Sequence, residues 1–79
     1  MKKVCQIQLK TVNEVKHFVD IMTQCPYDVD LLSGRYVIDA KSLMGIFSLD
    51  LTKPIDLAVS TDDVDDLLKK IDFCIIKND

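Results

Sequence analysis

The chain offers few side chains that could do chemistry, and one of them stands ahead of a short apolar run. Ser42 opens "SLMGIFSL" (42–49), in which Leu43, Met44 and Phe47 crowd together. A hydroxyl in that place can cap the free amides of a helix start. It can also carry a phosphate, which would set roughly −1.5 to −2 charges beside an apolar patch. The chain's one imidazole, His17, falls off the apolar stripe of its segment and reads as a solvated surface group. "TDDVDD" (61–66) suggests a cation site, but no glycine stands where a calcium loop would need one. Thr61 as helix cap and Asp62 and Asp63 as partners of the helix dipole explain it without a metal. Asp28, Asp30 and Asp56 fall on the wet side of strands, where no cleft would split their pKa values for acid–base work.

Cys5, Cys25 and Cys74 are odd in number and contain no CxxC pair, so three small apolar thiols are expected rather than a disulfide framework or zinc ligands. With two glycines in the whole chain and no GxGxxG, P-loop or GxSxG motif, a phosphate-cradling loop and a bound cofactor are not expected.

Composition narrows the classes further. Seventy-nine residues, 48% of them apolar and 29% charged, suit a single globular domain over residues 1–79. Thirteen acids against ten bases leave a net charge of −3, and the bases are scattered. Nucleic acid, which is bound through clustered Lys and Arg, is therefore not an expected partner. Apolar runs are too short for membrane insertion and no secretory signal pattern opens the chain, so a cytoplasmic protein is expected.

The elements that must position Ser42 follow from periodicity. "VCQIQL" (4–9) alternates as a strand, with Cys5, Ile7 and Leu9 inward. "TVNEVKHFVDIMTQ" (11–24) has helical period, with Val12, Val15, Phe18, Val19 and Met22 on one stripe, Thr11 as N-cap and Glu14 completing a capping box. Pro26 enforces the stop. "YDVDLL" and "YVIDA" (36–40) form a hairpin about "SGR" (33–35), with Val29 and Leu31 inward. A short helix, 42–49, follows and is weakened internally by Gly45. "KPIDLAVS" (53–60) is the fourth strand, and "TDDVDDLLKKI" (61–71) a helix capped by Thr61, with Val64, Leu67, Leu68 and Ile71 as its stripe. The tail "DFCIIKND" (72–79) either finishes that helix or runs extended along it. The order β-α-β-β-α-β-α, with one apolar face per element, predicts an α+β open-faced sandwich: a four-stranded, mostly antiparallel sheet with helices on one face.

"DAKSLMGIFSLDL" (39–51), preceded by "SGRYVI", resembles the "KSIMG" region of HPr, the histidine-containing phosphocarrier of the bacterial phosphoenolpyruvate:sugar phosphotransferase system. Element order and spacing fit that family over nearly the whole chain, and Lys41-Ser42-Leu43-Met44-Gly45 is the specific match. The resemblance implies an HPr-like fold, a regulatory serine at Ser42 and a partner-binding surface of Lys41, Leu43, Met44 and Phe47, with Arg35 as a further rim contact. It implies as partners phosphotransferase-system proteins, a serine kinase or a transcriptional regulator. A weak homodimer is permitted as well.

The chain departs from the family at the phosphoryl-carrying histidine. Its position falls on Thr11, and "LKTVNEV" (9–15) offers no His, Arg or Pro. His17 lies about 9 Å farther along the helix axis at ~1.5 Å per residue. The expectation is a non-enzymatic regulatory or docking protein that acts through the 42–49 patch and is switched at Ser42. The alternative is a phosphocarrier passing a phosphoryl group between phosphotransferase-system enzymes.

Overall fold

Alternating apolar residues in four short segments build the inner face of one sheet in the computed structural model, which describes residues 1–77. The strands are β1 (Lys2–Ile7), β2 (Val29–Ser33), β3 (Tyr36–Asp39) and β4 (Ile55–Val59), in spatial order β1-β4-β2-β3 with every neighbour antiparallel. The helices are α1 (Val12–Thr23), α2 (Leu43–Phe47) and α3 (Asp65–Lys70), followed by a 3-10 turn at Asp72–Cys74. Together they form a four-stranded open sheet with helices on one face.

Central β4 carries the register: Leu57 faces Cys5 on one side and Leu31 on the other, and Val59 faces Val29. Ile7, Leu31, Ile55 and Leu57 are all fully buried. Against them pack Val15, Phe18 and Met22 of α1, spaced three and four residues apart so that they share one face. The hairpin between β2 and β3 turns at Gly34, whose φ of 60° is reached without steric cost only by a residue lacking Cβ.

Several elements differ from the sequence expectation, each for a local reason. β1 runs Lys2–Ile7 rather than 4–9, and a bulge leaves Val4 without a partner between Lys3 and Cys5. Leu9 lies past the strand end yet stays buried. Val12, expected on the core stripe, is 55% exposed and lines a surface hollow, while Val15 three residues on is buried. Thr11 does cap α1, its Oγ1 accepting from the Glu14 amide at 3.0 Å. The Glu14 carboxylate reaches the Lys10 amide at 2.7 Å, one residue earlier than a standard capping box.

α3 begins at Asp65, not at 61. The Thr61 hydroxyl accepts from the Asp63 amide at 3.2 Å and so closes a local turn instead of capping the helix. The tail adopts neither expected course as far as it is described. After the 3-10 turn it lies beside β1, with the Gln8 amide donating to the Cys74 carbonyl at 2.8 Å and the Ile76 amide to the Gln6 carbonyl at 2.9 Å. Asn78 and Asp79, the end of that expected segment, lie outside the described residues.

Candidate functional site

The link between β3 and α2 is held by short-range polar bonds that fix the serine. Asp39 accepts from the Lys41 amide through Oδ1 at 2.9 Å and from the Ser42 amide through its carbonyl at 2.9 Å. Ser42 then takes an extended backbone, and its Oγ accepts from the Gly45 amide at 3.1 Å. That hydroxyl is a working N-cap on a half-buried residue.

Gly45 has a second role besides lowering helix propensity. A Cβ built there would lie 2.8 Å from Ile38 Cγ2 and 3.0 Å from Ser42 Oγ. The bare backbone lets α2 sit down on β3 and lets the serine hydroxyl approach.

α2 divides its apolar side chains between two faces. Ile46 is fully buried and anchors the helix, and Leu43 is half-buried against the core. Met44 is 80% exposed and Phe47 40% exposed, three residues apart on the outward side. Phe47 also lines a hollow of about 490 Å³ together with Leu51, Thr52, Thr11 and Val12. The exposed apolar surface therefore crosses from α2 to the first turn of α1. Its Val12 edge is invisible to helical periodicity, which assigns that residue to the core; only the meeting of two distant segments reveals it.

The remaining expected residues fall in different places. Lys41 folds inward, its ammonium donating to the Cys25 carbonyl at 3.1 Å. Arg35 sits exposed at the hairpin tip. Thr11 caps α1 at the edge of the hollow that Phe47 lines. His17 is not at the hollow; its ring lies 4.9 Å from that of Phe73, tilted by 41°. The exposed imidazole is thus partnered with the 3-10 turn rather than merely solvated. Asp56 is held by Lys3 at 3.5 Å and by the Gln6 amide group at 3.1 Å, and Asp62 lies 3.9 Å from Lys2. The three cysteines are free thiols; burial pushes Cys5 up and Cys74 up to about 12, which keeps both neutral.

What this arrangement can do is recognition. An exposed methionine, phenylalanine and valine beside a half-exposed hydroxyl form a small apolar centre with a polar edge.

No protein-family model and no curated protein matches the chain. Among solved structures, it is similar to the 1.8 Å crystal structure of Crh, the catabolite repression protein of Bacillus subtilis, which shows a swapped domain in an intertwined dimer. The two share 21% identity with a TM-score of 0.63, over 98% of each chain. Likeness at that identity is likeness of fold, and this chain shares its open-faced α+β sandwich with Crh.

Proposed function

We propose that the chain is an HPr-like regulatory protein of the phosphotransferase system, a single domain that docks on partner proteins in the cytoplasm. The observation that carries this reading is the exposure of Met44 and Phe47 on a helix whose only fully buried side chain is Ile46. A small domain has little apolar surface to leave in water, and a contiguous patch with a polar edge suits a transient partner. The patch extends to Val12, so the docking face consists of Val12, Met44 and Phe47, with Leu43 supporting it from beneath.

Ser42 is the switch in this reading. A serine kinase transfers the terminal phosphoryl group of ATP to Ser42 Oγ: the bond from the γ-phosphorus to the bridging oxygen breaks and ADP leaves, while the hydroxyl proton passes to a base of the kinase as the new P–O bond forms. The product places a doubly charged group beside Met44, penalising an apolar partner and favouring one that offers arginine. The resemblance puts the family's histidine at Thr11, which carries no imidazole, so phosphotransfer from phosphoenolpyruvate is left out of the role proposed here. Crh, the similar structure, is a catabolite repression protein, and control of carbon use is the role proposed here by analogy.

The test uses isotope-labelled chain with the purified first enzyme of the phosphotransferase system and, separately, with a purified regulator of carbon genes. Amide shifts confined to 10–13 and 42–48 are expected with at least one of them; shifts elsewhere, or none with either, overturn the docking face. Intact mass separates the chemistries. An acid-stable adduct formed with ATP and a serine kinase supports the switch, whereas an acid-labile adduct from phosphoenolpyruvate supports a phosphocarrier.

A further inference from the structure

A second hollow, of about 600 Å³, lies where the β2–β3 hairpin overhangs the connection from α2 to β4. Ser33, Arg35 and Tyr36 line one wall, and Ser48, Asp50 and Lys53 the other. Its volume falls in the range of small-molecule sites, about 300–1,000 Å³.

The charges in it do not cancel. Arg35 makes no ion pair among the described residues, and Lys53 meets Asp50 only at 3.9 Å. Asp50 is occupied with its own loop: its Oδ1 accepts from the Thr52 hydroxyl at 2.6 Å and from the Thr52 amide at 3.1 Å. Those bonds hold its carboxyl below the usual carboxylate range, so it remains a fixed single negative charge. Two cations against one anion leave the hollow net positive on a protein of net charge −3. Tyr36 beside them is 63% exposed, which leaves an aromatic side chain open to solvent at the hollow.

We propose that this hollow binds a small phosphate ester of the nucleoside monophosphate class, its planar base against Tyr36 and its phosphate between Arg35 and Lys53. The guanidinium supplies a two-pronged donor that matches phosphate oxygens, and the ammonium a mobile second charge. The tyrosine offers a stacking face, and the Ser33 hydroxyl a partner for the sugar. None of Val12, Ser42, Met44 or Phe47 lines this hollow, so the site stands apart from the docking face and does not depend on it.

The test is titration of the labelled full chain with AMP, with adenosine and inorganic phosphate as separate probes. Saturable AMP shifts confined to 33–36 and 48–53 are expected. Arg35→Gln with Lys53→Gln should weaken binding about tenfold or more, the loss of charge-assisted bonds. Tyr36→Ala should weaken AMP while leaving the response to inorganic phosphate unchanged. Absence of saturation at millimolar AMP, shifts elsewhere, undiminished affinity in the double variant, or inorganic phosphate binding as tightly as AMP would each overturn the site. All three positions are exposed, so the variants keep the fold, and the unperturbed part of the spectrum reports it.

Discussion

Along α1, Val15, Phe18 and Met22 fall on one face and all reach zero exposure, while along α2 only Ile46 does and Met44 stands 80% exposed. Both helices are capped by a hydroxyl, Thr11 on the Glu14 amide and Ser42 on the Gly45 amide, so the difference is not in how they start. It lies in length and support. Twelve residues span more than three turns and can lay a continuous stripe on the sheet. Five residues make little more than one turn, which buries one side chain and leaves its neighbours outside. The first helix holds the sheet together; the second presents a surface.

Substitutions separate the two roles. The largest effect is expected in α1: Phe18→Ala removes the largest fully buried side chain and should lower unfolding free energy by about 3–5 kcal/mol in denaturant titration. A loss under about 1 kcal/mol would mean that α1 is not the core helix described here. Gly45→Ala comes next, because its new methyl meets Ile38 and the Ser42 hydroxyl. A net cost of about 1–3 kcal/mol is expected despite the better helix propensity of alanine, and a gain in stability would show that α2 is not seated on β3.

A subtler contrast appears at alkaline pH. Cys74 is buried beside β1 and its thiol is pushed up to about 12 from an ordinary 9.0. The unfolded chain gives up that proton first, so the stabilisation is full below pH 9.0 and is lost as pH climbs toward about 12. Cys74→Ala should flatten that part of the stability–pH curve, and an unchanged slope would remove the thiol from the account. Smallest of all is Met44→Ala, expected to change stability by no more than about 0.5 kcal/mol, since the side chain is already in water. A core-sized loss there would erase the distinction between the helices.

The same contrast explains what could be read from the sequence. The three longer strands' apolar alternation and the α1 stripe repeat often enough for their period to be legible, and Val29, Leu31, Phe18 and Met22 are buried as expected. The Ser42 cap is legible from a hydroxyl ahead of an apolar run, whereas the docking and switching roles of Ser42, Met44 and Phe47 rest on the family resemblance. The burial of Ile46 is not legible in this way, because one helical turn has no period to read. Val12 shares the period of the buried stripe yet lies exposed at the hollow beside Phe47, a placement that periodicity does not encode. Thr61 has the right type for a cap, but its hydroxyl is used by a nearer amide. The two hollows depend on segments far apart in sequence, and no local pattern encodes such meetings.

Docking through the outward side of α2 is most directly tested by calorimetry of the parent chain and of a Met44→Asp/Phe47→Asp variant against the purified phosphotransferase enzyme or regulator. The parent should bind, and the variant should retain its fold while losing about tenfold or more in affinity, as expected when exposed apolar anchors are replaced by charge. Equal affinity for the two proteins would contradict the assignment of that surface to partner recognition.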